Sequence, residues 1–229
     1  MKYEVIIFDA DETLFNFRES EKYAFEKAIL EFNIDYREDY HLKIYSDINT
    51  AIWKEFECGL ISQEKLKVER FKRLSHELNI KFDELAFSKS YLKHLSHSSI
   101  LYEESFNLVE ELSKNYKLSI ITNGLSDVQS NRIRKSSIAK YFDDIIISEE
   151  VSVSKPNSDI FKIALNNLNY NDKSKVLMVG DSLTSDIQGG INFGIDTCWL
   201  NTCKIENKTK FKPTYEISRL TEIIEILKK

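Results

Sequence analysis

Val5-Ile6-Ile7-Phe8-Asp9-Ala10-Asp11-Glu12-Thr13 opens the chain with four consecutive apolar residues that end on two aspartates, two positions apart. A short β-rich apolar run of this kind reads as a strand buried on both faces, as in a parallel sheet. Strand residues alternate sides, so Asp9 and Asp11 are expected to share a direction at the strand's carboxyl end. Paired carboxylates repel each other. They suit a divalent cation, or a division of labour in which one attacks while the other carries a proton.

Further along, Leu118–Thr122, Ile145–Ser148, Val176–Gly180 and Thr197–Leu200 are similar β-rich runs separated by helical patterns. After Pro156, Ile160, Phe161, Ala164, Leu165 and Leu168 fall on one helical face, and the proline suits a first helical turn. Alternation of this kind predicts an α/β fold, a doubly wound parallel sheet whose ligand site lies outside the strands' carboxyl ends. Residues 17–95 instead carry helical periodicity: Phe25, Ala28, Ile29 and Phe32, then Ile48, Ile52, Trp53 and Phe56. An all-helical cap is therefore expected over 16–97, inserted into a core formed by 1–15 and 98–229. Leaving the core directly after the first strand, it would stand at the mouth of the site as a lid. Asn201–Lys212 reads as a polar loop and Glu222–Lys229 as a closing helix.

Composition narrows the partners. The 229 residues carry a formal net charge of −5 without a long basic run, so no footprint for a nucleic acid polymer is evident. No apolar stretch approaches the ~18 residues of a membrane span and no cleavable leader is visible, so the cytoplasm is the expected location. Cys58, Cys198 and Cys203 form no Cys-x-x-Cys pair and are expected to be reduced thiols. His94-x-x-His97 lacks further metal-ligand partners and reads as part of a polar connector.

Chemistry recurs past each crevice-facing strand. Thr122-Asn123-Gly124 offers a hydroxyl, an amide and a turn, followed by Ser126 as a candidate helix N-cap. Ser154-Lys155-Pro156 places an ammonium able to neutralise a phosphoryl group, and Gly180-Asp181-Ser182-Leu183-Thr184-Ser185-Asp186 supplies two more carboxylates.

In that order, Asp9-x-Asp11-x-Thr13, Thr122, Lys155 and Gly180-Asp181-x4-Asp186 resemble the four motifs of the haloacid-dehalogenase-like hydrolases. The insert resembles that family's small helical cap. Asn49-x3-Trp53-x2-Phe56-Glu57-x-Gly59, together with Thr122-Asn123-Gly124-x4-Gln129, is similar to the bacterial pyrimidine 5′-nucleotidases of the superfamily. The resemblance implies a magnesium-dependent phosphomonoester hydrolase working through an aspartyl-phosphate on Asp9, with Asp11 as acid and base. It implies magnesium on the side chains of Asp9 and Asp181 and the carbonyl of Asp11, with Asp186 in support. Thr122, the Asn123 backbone N–H and Lys155 would hold the phosphoryl oxygens. Thr13 would orient the aspartate loop, and Glu12 would be a solvent-facing bystander.

Trp53 and Phe56 are candidates to stack on a nucleobase, and Asn49 and Glu57 to meet base or sugar. The implied partner is a small phosphorylated metabolite, a nucleotide first of all. A sugar-phosphate or phosphoglycolate phosphatase and a phosphomutase are alternatives within the same fold. Outside enzymes, a receiver-type signalling module also gathers aspartates, a threonine and a lysine around magnesium.

Overall fold

Val5, Ile6, Ile7 and Phe8 form β1, and all four side chains are fully buried, as a strand covered on both faces requires. The computed structural model describes residues 2–228, apart from the side chain of Glu57. The chain divides into two compact units, one running to Phe17 and resuming at Ser99, the other Arg18–Ser98.

The first unit is the α/β one. After β1 it continues with β2 (Lys117–Thr122), β3 (Asp144–Ile147), β4 (Val176–Gly180), β5 (Asp196–Leu200) and β6 (Tyr215–Ile217). All neighbouring strands pair in parallel, in the order β3-β2-β1-β4-β5-β6, so β1 is central between β2 and β4. This is a doubly wound sheet. Its strand order reverses beside β1, which is where ligands of such sheets bind.

Alternation along β1 separates two layers. Ile6 and Phe8 join a core with Leu108, Val109 and Leu112 from the helix Ser105–Leu112 and with Ile223, Ile226 and Leu227 near the C-terminus. Val5 and Ile7 face the other way, onto Ile160, Phe161, Ala164 and Leu165. Those four residues belong to the helix Ser158–Asn167, on the face that its periodicity marked. Pro156 stands outside this helix, because Asn157 caps it by accepting the Asp159 N–H. Ser126 likewise is no cap: the helix Ser126–Arg132 begins at it, and its N–H is taken by Glu149. β6 escapes a pattern reading because three residues are too few to show alternation; it exists by pairing with β5.

The second unit contains four α-helices, Phe17–Glu31 (entered one residue upstream), Lys43–Glu57, Gln63–Leu78 and Glu84–Ser96. Its centre is aromatic. Tyr45 stacks on Phe25 at 4.5 Å between centroids and on Phe71 at 5.6 Å, with Phe87 and Tyr91 packed around them. Along Lys43–Glu57 the buried stripe is Tyr45, Asn49 and Ile52, whereas Ile48, Trp53 and Phe56 are only half-buried. The apolar stripe expected from Ile48 is therefore rotated, because a polar residue, Asn49, occupies an inward position. Among the described residues no helix is long and apolar enough to cross a membrane.

Candidate active site

Strand ends bring the chemistry of the α/β unit together. Asp9 directly follows β1 and retains its register, its N–H donating to Val179 O of β4 at 2.9 Å. It shares the parity of Val5 and Ile7. Lys155 meets it there: Nζ lies 2.5 Å from Asp9 Oδ1, 2.7 Å from Asp186 Oδ1 and 2.6 Å from the Ile121 carbonyl. Only 1% of Lys155 is exposed, so its charge is neutralised by these acceptors rather than by water.

Asn123 fixes the lysine's backbone. Its side-chain oxygen accepts the Lys155 N–H and its Nδ2 donates to the Lys155 carbonyl, each at 2.8 Å. Asp186 is held from the other side by the Ser182 N–H at 3.0 Å, across the wide helical turn Leu183–Ile187. Gly180 is what lets it approach. A Cβ at that position would stand 2.2 Å from the Asp186 carboxylate. Asp181 receives the Thr13 hydroxyl at 3.5 Å, and its backbone carbonyl accepts the Trp199 indole N–H at 2.8 Å.

Asp9, Asp181 and Asp186 present carboxylate oxygens that all lie within 4.8 Å of one another. Three acids against one ammonium leave a surplus of negative charge, and the titration of the cluster registers it. Burial pushes the Asp9 carboxyl up, Lys155 pulls it back and Asp186 raises it again, leaving it at about 7. Burial, then the charges of Asp9 and Asp186, hold Asp181 well above the usual carboxylate range. Burial alone would lower Lys155, but Asp186 and Asp9 outweigh it and keep the ammonium charged. A compact set of oxygen donors with excess negative charge fits a hard divalent cation.

Asp11 lies beyond the end of the strand, near enough to Asp9 for its charge to raise that carboxyl. The strand stops at Phe8, and Ala10 turns the chain by accepting the N–H groups of Leu14 and Phe15, both at 2.9 Å. Strand alternation therefore does not carry as far as Asp11. Its two carboxylate oxygens meet partners of their own: Arg132 NH1 at 2.8 Å on Oδ1 and Gln129 Nε2 at 2.7 Å on Oδ2. Two carboxylates at one strand end thus occupy two environments. Gln129 Nε2 also lies 3.2 Å from the Thr122 hydroxyl, which joins Thr122 to the same network.

The sequence match is with the haloacid dehalogenase-like hydrolase model, over residues 6–200. The chain belongs to that family. Pyrimidine 5′-nucleotidase YjjG of Escherichia coli (strain K12) is 36% identical over 99% of this chain and 99% of its own. Pyrimidine 5′-nucleotidase PynA of Streptococcus pneumoniae is 33% identical over 100% and 97%. Among solved structures, the magnesium-bound form of Bacillus subtilis YfnB superposes with a TM-score of 0.94 at 32% identity, covering 100% of both chains.

For this member of the haloacid dehalogenase-like hydrolases, the structure brings Asp9, Lys155, Asp181 and Asp186 into one cluster and links Asp11 to Thr122 through Gln129. Asn123 serves the Lys155 backbone with its side chain. Glu12, expected to face solvent, is half-buried and accepts the Tyr102 hydroxyl at 3.0 Å, with its φ at +63°. Asn49 departs from its expected role: it is buried, its Nδ2 donates to Glu21 at 2.7 Å and its Oδ1 accepts from Arg70 at 3.1 Å, so both ends of the amide are used inside the helical unit. Trp53 and Phe56 are half-buried and meet edge to face at 5.7 Å. The Glu57 side chain lies outside the described residues.

Sequence reasoning gave Arg132 no part. Its signal was available as a basic residue one helical turn after Gln129, but spacing alone does not distinguish it from the solvated arginine two residues later, Arg134.

Proposed function

We propose that the protein is a magnesium-dependent phosphatase that removes the phosphate of pyrimidine nucleoside 5′-monophosphates. The observation that carries the reading is the pair of differently housed carboxylates at the end of β1: Asp9 against Lys155, Asp11 against Gln129 and Arg132. The substrate class is drawn from YjjG and PynA, which match along almost their whole lengths.

In this reading an Asp9 oxygen attacks phosphorus, the bond from phosphorus to the ester oxygen breaks, and Asp11 gives its proton to the departing alkoxide. Asp11 then takes a proton from water, whose oxygen attacks the aspartyl-phosphate; inorganic phosphate leaves and Asp9 is regenerated. Lys155, the Thr122 hydroxyl and the Asn123 backbone N–H bind the phosphoryl oxygens. The side chains of Asp9 and Asp181 and the carbonyl of Asp11 would hold magnesium, with Asp186 in support. Bound there, the ion supplies positive charge for the phosphoryl group and makes the ionised form of Asp9 favourable. Selection of the leaving group is assigned to the helical unit, with Trp53 as the stacking residue and Phe56 beside it.

Hydrolysis of 4-nitrophenyl phosphate, with magnesium and with chelator, is the first test. Asp9→Asn and removal of magnesium are each expected to lower turnover by roughly 10³-fold or more. Full turnover by Asp9→Asn would exclude Asp9 as the nucleophile. A panel of pyrimidine, purine and sugar monophosphates then tests the substrate class. Trp53→Ala is expected to slow the nucleotides and spare the sugar phosphates, and an equal fall would remove the stacking role.

A further inference from the structure

We propose that Gln129 and Arg132 form a clamp that orients Asp11, acting as positioning residues for its proton transfers; this rests on the phosphatase reading above. Both lie on the short helix Ser126–Arg132, three residues apart, and therefore on one face. Each supplies one N–H to a different oxygen of Asp11, at 2.7 Å and 2.8 Å. The two donors fix the plane of a carboxylate that would otherwise rotate freely. They are also braced against each other, since Arg132 NH1 donates to Gln129 Oε1 at 2.8 Å.

The clamp is built into the interior. Gln129 is 2% exposed and Arg132 fully buried, whereas the carboxylate they hold retains 26% side-chain exposure. The rings of Phe17 and Phe15 flank the guanidinium at 5.2 Å and 5.8 Å. Space for the glutamine comes from Gly124. A Cβ there would stand 2.4 Å from Gln129 Cγ and 2.5 Å from its Nε2, so a side chain at that position would displace the amide from Asp11. A buried cation and a buried amide, with a glycine that makes room for the amide, thus converge on the half-buried carboxylate.

Orientation of Asp11 affects only the steps in which it moves a proton. With one N–H on each oxygen, a second lone pair on each remains for the proton it hands to the leaving group or accepts from water. A poor alkoxide leaving group needs that proton, but a 4-nitrophenolate needs it little. The proposal therefore concerns leaving-group dependence more than overall rate.

The test measures kcat/KM, which reports the steps through first bond cleavage, for phosphate monoesters ranging from 4-nitrophenyl to phenyl to alkyl. Wild type, Gln129→Leu, Arg132→Lys and Asp11→Asn are compared. Gln129→Leu and Arg132→Lys are expected to lose about tenfold more on the alkyl ester than on the 4-nitrophenyl ester, in the direction of Asp11→Asn. Adding Gln129→Leu to Asp11→Asn is expected to leave the dependence on leaving group unchanged, because the clamp then has no proton carrier to orient, while a loss through the Thr122 hydroxyl falls equally on all esters. An equal loss across the ester series in the single variants, or a steeper dependence on leaving group in the double variant than in Asp11→Asn, would overturn the proposal. Gln129→Leu removes no charge and keeps the volume, so the test stands if the arginine variant fails to fold. Absence of turnover in wild type, or full turnover by Asp9→Asn, would instead count against the phosphatase reading.

Discussion

A buried cation sits at the heart of each unit, and the two are neutralised in different ways. In the α/β unit Lys155 is ringed by Asp9, Asp186 and a carbonyl, with Asp181 close by: acids outnumber the base. In the helical unit Arg70 is equally buried, but it bonds Asn49 and Tyr45 and lies over the rings of Phe71 and Tyr91. Glu21 is reached through the Asn49 amide. A charge so housed organises a core, although the Arg70 Nε and NH2 stay buried without a hydrogen-bond partner among the described residues. An unbalanced one calls for a proton or a cation, and that is where chemistry is to be sought.

The strongest way to break this contrast is to remove each cation. Lys155→Met leaves three carboxylates without their ammonium, and above about pH 7 in chelator it is expected to lose about 3–5 kcal/mol of stability. Magnesium should restore much of that loss, read as the shift of a urea midpoint on addition of the ion. Arg70→Met should lose somewhat less, about 3 kcal/mol, from the Asn49 oxygen left without its donor and the lost contact with the rings of Phe71 and Tyr91. Magnesium should not restore it. If the ion rescued both variants equally, the two clusters would not differ in kind.

A finer test uses pH. Asp9 titrates at about 7 in the folded protein and near 4 in the unfolded chain. Between those values the folded state holds a proton that the unfolded state has released, so stability conferred at low pH is lost as pH rises through the window. Asp9→Asn has no such proton. Its stability relative to wild type, in chelator, should grow from about pH 4 to about pH 7 and level off above. A difference that stays flat would mean that Asp9 carries no charge strain.

Smallest is the effect expected at the surface. Arg73 pairs with Glu55 through both nitrogens, at 2.7 Å and 2.8 Å, yet each side chain is about one-third exposed. Arg73→Ala should cost within about 1 kcal/mol, and less at high salt, read in the same urea titrations. A larger loss would show that the helical unit depends on its surface charges as much as on Arg70.

Much of the fold was legible because periodicity survives without context. Val5–Phe8 and Val176–Gly180 were readable to the residue, since continuous apolar runs leave a sheet buried on both faces little alternative. β6 was not, because its three residues exist as a strand only through β5. The cluster residues Asp9, Lys155, Asp181 and Asp186 were legible because a parallel sheet brings the carboxyl ends of its strands, and the loops leaving them, to one edge. Asn49 was misplaced, because a polar residue pointing inward is recognisable only once Arg70 and Glu21 stand opposite it.

By itself, then, the sequence determined the parallel sheet, its inserted helical segment and the acids and lysine at the strand ends, since spacing and hydrophobic pattern are local properties of the chain. Tertiary structure alone decided the partners of the two carboxylates, Lys155 for Asp9 and Gln129 with Arg132 for Asp11. The strand gives way to a turn after Phe8, and the partners of each carboxylate come from segments more than a hundred residues away, which no local pattern encodes.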